Sequence, residues 1–235
     1  MPTNASRSRV NFEFRFDSAA AALMTIQANQ VEVRNLGRSD CQETWDAMKD
    51  FTHARNAQTR DQLWITEHAP VFTQGLNGRA EHLLDAGDIP VLQIDRGGQI
   101  TYHGPGQLVL YCLLDLNRLG LGVKGLVAKI EKSVIDLLRG YRIEAHARSG
   151  APGVFVEQAK IAALGLRIRK GCCYHGLSLN VDMELEPFTR INPCGYRGLV
   201  VSQLRDLGVN KTVEQVGYEL ANILIRNLYS FDEIS

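Results

Sequence analysis

Hydrophobic and polar positions along the chain fall into short segments with two different periods. Asp40, followed three residues later by Glu43, is a helix-start signature, and the placing of Trp45 and Met48 predicts a helix over 41 to about 57. Val127, Ile130, Val134, Leu137 and Leu138 recur at helical spacing, and Gly140 can end that helix. Thr212 with Gln215 opens a last helix that would bury Val216, Leu220, Ile223 and Leu224. Strand-sized runs lie between: 31–33, 63–67, 71–73 beyond the break at Pro70, and 91–94. The run 107–114 is apolar at nearly every position, as a strand covered on both faces would be. Residues 153–157 and 160–168 read as the two arms of a hairpin, and 175–181 alternates as a further strand. Hairpins mixed with helices predict an α/β (α+β) fold with a mixed, largely antiparallel central sheet, not a doubly wound parallel one.

Composition narrows the function classes. With 235 residues the chain can bury one sizeable core. Its 26 basic and 26 acidic side chains balance, which excludes a general nucleic-acid binder with a basic footprint. The longest apolar run, 108–114, is far too short to span a bilayer. At the N-terminus Arg7, Arg9 and Arg15 precede an Ala-rich run over 19–24, but Glu13 and Asp17 interrupt it, so no export signal is read. Residues 1–30 are expected to be a disordered extension and 31–235 the folded domain, in a reducing cytoplasm. Five cysteines, an odd count, fit free thiols there.

Three segments carry candidate chemistry. The densest is Arg96-Gly97-Gly98-Gln99-Ile100-Thr101-Tyr102-His103-Gly104-Pro105-Gly106, with four glycines in eleven residues. Glycines let backbone amides approach a ligand, and the interleaved side chains add a cation, hydroxyls and an imidazole. No Gly-Lys-Ser/Thr follows, so it is not a P-loop, and an apolar strand rather than a helix comes next, so it is not a dinucleotide fingerprint. The second segment sets Cys194 between Pro193 and Gly195, in a turn that can expose sulfur and offer backbone N–H groups to an oxyanion. Cys112, between Tyr111 and Leu113, reads as core instead. Cys172 and Cys173 are adjacent, would face opposite sides of a strand, and make poor chelate partners, so neither metal nor cofactor is expected. The third segment opens on Lys160 before an apolar run; an ammonium beside a thiol favours the thiolate and can pass protons. Taken alone, each feature also has a plain structural reading: a tight turn, an inert loop thiol, a strand-end lysine whose head reaches water.

Together, Arg96–Gln107, Lys160-Ile-Ala-Ala-Leu-Gly165, His175-Gly-Leu-Ser-Leu-Asn180 and Ile191-Asn-Pro-Cys-Gly195 resemble the lipoyl(octanoyl) transferase family, over roughly 31–230. The resemblance implies a fold shared with biotin and lipoate protein ligases: a central mixed sheet flanked by helices, plus a smaller sheet. It implies transfer of an octanoyl group from acyl carrier protein to a lysine of lipoyl domains, those of 2-oxoacid dehydrogenase complexes and the glycine cleavage H protein. Cys194 would be the acyl-thioester nucleophile and Lys160 its partner. Arg96, Gly97, Gly98, Gln99, Ile100, Thr101, Tyr102, His103, Ala163, Leu164, Gly165, Gly176, Leu177 and Ser178 would line the acyl pocket. The small residues Ala162, Ala163, Gly165 and Gly176 would leave room for the chain. A monomer is implied, with no nucleic acid or membrane partner. Arg142, Arg148, Arg167, Arg169, Lys170 and Arg197 could form a local basic face toward acidic protein substrates. The alternatives are an ATP-dependent ligase on the same fold and a non-catalytic binder of carrier or lipoyl domains.

Overall fold

The computed structural model describes residues 31–192 and 198–229. Its strands are β1 (Val31–Ser39), β2 (Asp61–His68), β3 (Val71–Gln74), β4 (Val91–Gln93), β5 (Ile100–His103), β6 (Gln107–Asp115), β7 (His146–Ala147), β8 (Gly153–Val156), β9 (Ala159–Arg169) and β10 (Cys172–Asn180). The helices are α1 (Cys41–Ala54), α2 (Leu116–Leu119), α3 (Val123–Gly140) and α4 (Val213–Tyr229). Among the described residues a seven-stranded sheet runs β1-β2-β6-β10-β9-β8-β7, and a three-stranded sheet runs β4-β3-β5. In the large sheet only β1 and β2 pair in parallel, so it is mixed and largely antiparallel, as expected.

Strand β6 shows why its sequence is apolar throughout. Leu108, Leu110, Cys112 and Leu114 join the main core with Leu126, Ile130 and Val134 of α3 and Val216, Leu220 and Leu224 of α4. Val109, Tyr111 and Leu113 point to the other face, where they pack with Met48 of α1, Trp64 and Tyr174. Alternation along one strand thus serves two cores. The small sheet closes a third cluster with Phe72, Tyr102 and Phe188.

Caps behave as read. Asp40 accepts from the Glu43 amide at 2.9 Å, and Thr212 and Gln215 exchange both capping bonds. Several boundaries and faces differ from the reading. Strand β1 continues to Ser39, its polar positions sitting at the exposed sheet edge and its register shifting between Asn35 and Gly37. The Gly-rich segment contains β5, paired to β3. The buried face of α3 begins at Leu126, with Val127 only half-buried, and on α4 Ala221 rather than Ile223 is buried.

Helix α1 stops at Ala54 because Arg55 turns inward to pair with Asp61. Asp61 is fully buried; it also accepts from the Asp115 amide at 2.9 Å and the Tyr229 hydroxyl at 2.7 Å, with Arg118 at 3.6 Å. Removing the carboxylate strands a guanidinium inside the protein. Asp61→Ala is therefore expected to lower unfolding free energy by about 3–5 kcal/mol, read from the urea midpoint; a change below about 1 kcal/mol would contradict this.

Candidate functional site

The cavity lies where the small sheet meets β9 and β10. The hairpin of β8 and β9 and the antiparallel pairing of β9 with β10 put Ala163 opposite Ser178, Leu164 opposite Leu177 and Gly165 opposite Gly176. Two segments that the sequence keeps apart thus become one floor. Arg96, Gly98, Gln99, Ile100, Thr101, His103, Lys160, Ala163, Leu164, Gly165, Gly176, Leu177 and Ser178 all line the cavity. Gly97 and Tyr102 do not. The Gly97 amide donates to the Leu166 carbonyl at 2.8 Å, tying the loop to β9, and Tyr102 alternates away into the cluster with Phe72 and Phe188. Cys194 and Arg197 lie outside the described residues, as does the extension 1–30.

The two central glycines line the cavity and are also required to be small by their neighbours. A Cβ on Gly165 would sit 2.9 Å from Arg96 Cδ, and one on Gly176 would fall onto the Leu110 carbonyl. Gly165 therefore lets Arg96 lie across β9, where its guanidinium donates to Thr73 O at 2.5 Å and to Thr73 Oγ1 at 2.9 Å. That buried strap joins the two sheets and sets the roof of the cavity.

Lys160 is 5% exposed. Its amide donates to Val200 O at 2.8 Å and its carbonyl accepts from Ser202 N at 3.0 Å, so its backbone bridges to the segment that follows residue 197. On the other flank of 193–197, Ile191 bridges to Leu83 and the Asn192 amide donates to His82 O at 2.8 Å. Phe188, Leu199 and Val201, from the same stretch of chain, line the cavity.

The cavity lining also includes groups the sequence reading missed, and a polar cluster forms around one of its lining residues, His175. Cys41, at the start of α1, and Tyr111 line the cavity. Asp95 accepts from Trp45 Nε1 at 2.8 Å, from His175 Nε2 at 2.9 Å and from the Tyr174 hydroxyl. These bonds, with His175 charge, outweigh burial and hold the Asp95 carboxyl below the usual range. His175 adopts a left-handed φ of 60°, which directs its ring to Asp95. The acidic residue directly before the Gly-rich segment was the available sequence signal; its partners are 50 to 80 residues away.

Burial governs the other titratable groups. His103 is held down to about 3 by burial, with His68 adding to the effect against its hydrogen bond to Gln107. His68 and His175 are lowered too, again chiefly by burial. The unfolded chain, with imidazoles near 6.5, thus binds more protons than the folded one between roughly pH 6.5 and pH 3, and stability falls as pH drops through that window. Asp95 has the same sign below about pH 4, where its lowered carboxyl loses its advantage. The urea midpoint is expected to fall steadily from pH 7 to pH 4.5, and less steeply in His103→Gln; a pH-independent midpoint would refute this.

All four described cysteines are poor nucleophiles. Burial pushes Cys41 and Cys112 up to about 12 and raises Cys172 and Cys173. Cys112 and Cys173 sit in the main core, and Cys172 is only partly exposed. Among the described helices none is long and apolar enough to cross a membrane.

The sequence profile of the lipoyl protein ligase A/B catalytic domain matches residues 40–224. The chain is 58% identical over 196 residues to the octanoyltransferase of Vesicomyosocius okutanii subsp. Calyptogena okutanii, covering 83% of this chain and 96% of that one. Its fold is similar to a crystal structure of lipoate-protein ligase A bound with ATP, with TM-score 0.68 and 16% identity over 84% of this chain and 83% of that one. It is also similar to the biotin protein ligase of Aquifex aeolicus, with TM-score 0.52 and 13% identity over 88% and 71% of the two chains.

Proposed function

This chain belongs to the lipoyl protein ligase A/B catalytic domain family, and from that premise we propose that it moves an octanoyl group from the thioester of acyl carrier protein to the ε-amine of a lysine on a lipoyl domain. With relatives such as the 58% identical octanoyltransferase, it is an acyltransferase. Transfer runs through a thioester on Cys194, in the cytoplasm, with the protein acting as a monomer.

One observation carries this reading: a cavity walled by small and apolar residues of β5, β9 and β10 also contains a buried lysine, Lys160. An acyl chain lies in such a slot, each buried methylene contributing about 0.8 kcal/mol. The chain flanking 193–197 is anchored on both sides, at His82 and at Lys160, which supports a nucleophile at 194 working beside this amine. The four described cysteines are held as neutral thiols, which leaves Cys194 as the sulfur for the task.

The chemistry then needs no ATP. The Cys194 thiolate attacks the octanoyl carbonyl, the new carbon–sulfur bond forms, and the old one breaks to pantetheine thiolate, which takes a proton from the Lys160 ammonium. In the second half, the lysine amine of the lipoyl domain attacks the enzyme thioester and gives its proton to neutral Lys160. Amide forms and the Cys194 thiolate returns. Exchange between thioesters is near neutral, and thioester to amide runs downhill. Splitting the transfer lets two protein substrates use one site in turn. The deciding experiment is intact-mass measurement with octanoyl-acyl carrier protein, without ATP or Mg²⁺. One octanoyl group, removable by hydroxylamine, is expected on the enzyme. No covalent acyl group, or strict need for ATP, would overturn the proposal in favour of a binder or a ligase.

A further inference from the structure

We infer that Phe155 and Gly153 of β8 are positioning residues that form a saddle for the Lys160 side chain. This rests on the proposed role of Lys160 in acyl transfer. Three observations point to it. Phe155 is 1% exposed, so its ring is held in a fixed position inside the protein. It stands directly opposite Lys160 in the β8–β9 register, and Lys160 Nζ lies 5.5 Å from the ring centroid. Gly153 has φ 142°, which favours glycine, and a Cβ there would overlap Lys160 Cε and the Ala162 carbonyl and lie 3.1 Å from Nζ.

The flanking contacts complete the saddle. Arg148 Cζ lies 4.1 Å from the same ring centroid, and His146 stacks against it at 6.1 Å from β7. Arg148 also donates to Glu157 O and Gln158 Oε1, at 3.0 and 2.8 Å. These contacts help to fix the ring and give Arg148 a place against it. Glu131 of α3 accepts from the Gly153 amide at 2.9 Å and secures the start of the strand. The lysine backbone is clamped between β8 and residues 200–202, so the side chain is the only part left to steer. An aromatic face attracts a cation without binding its protons in hydrogen bonds. It can therefore hold the amine in place without itself taking up a hydrogen-bond donor. A carboxylate in the same place would take one up.

The test is a coupling measurement on the full-length protein, with single-turnover octanoyl transfer from acyl carrier protein as the readout. Phe155→Leu is expected to slow transfer about tenfold when Lys160 is present and less than about twofold in a Lys160→Ala background, because the ring acts only through the amine. Phe155→Tyr keeps the aromatic face and is expected to restore most of the rate. Loss by the same factor in both backgrounds, or equal loss in Phe155→Tyr and Phe155→Leu, would overturn the saddle while leaving the role of Lys160 intact. A wild-type rate in Lys160→Ala would instead remove the role of Lys160, and the saddle with it.

Discussion

Cys194→Ser acquires no hydroxylamine-labile octanoyl group from octanoyl-acyl carrier protein, and transfer to a lipoyl domain falls by on the order of 10⁴-fold: this is the largest effect expected of any single substitution. The size follows from the chemistry. A serine hydroxyl is a far weaker nucleophile near neutral pH, and the site holds no alternative sulfur able to take over. Cys41 is the only described cysteine that lines the cavity, and burial holds its thiol up to about 12. Tight binding of both protein substrates with no turnover is the expected residual behaviour, since binding and chemistry use different groups. A Cys194→Ser protein that still gains the same labile mass would refute the nucleophile assignment.

Lys160→Ala ranks second. It is expected to slow single-turnover transfer by about 10²–10³-fold, within the range for loss of a positioned acid–base group. The sign of its effect on the thiol is fixed by electrostatics. An ammonium near a thiol stabilises the thiolate, so removing it raises the apparent pKa of Cys194 alkylation, by about one unit for each 1.4 kcal/mol of lost interaction. Iodoacetamide rates measured across pH 6–10 check this directly. An unchanged alkylation profile would reject the pairing. The substitution also tests folding, because Lys160 is buried between β8 and residues 200–202. Its backbone bonds do not depend on the side chain, so the urea midpoint is expected to change far less than the rate.

Parts of the site were legible because their chemistry is written in local pattern. Glycines interleaved with Arg96, Thr101 and His103, and a lysine heading an apolar strand, announce themselves without a fold. Other parts were illegible for physical reasons. Residues 107–114 showed that a strand was covered on both faces but not which face belonged to which core; Tyr111 on one side lines the cavity while Leu110 on the other packs under helices. The smallness of Gly165 and Gly176 looked like room for an acyl chain. It is also demanded by Arg96 and by the Leu110 carbonyl, neither of which is a sequence neighbour. Tyr102 and Gly97 sit within the right motif, yet the pleat turns the tyrosine away and the glycine is spent on a backbone bond.

Sequence alone determined most element types, the caps of α1 and α4 and the sheet class, because each depends on side-chain type and spacing within a few residues. Only the tertiary structure decided the meeting of Asp95 with Trp45, Tyr174 and His175, the strap of Arg96 across β9, and the setting of Lys160 over Gly153 and Phe155. Those arrangements are long-range pairings. Their energies come from burial and from partners many residues away, and no local period records them.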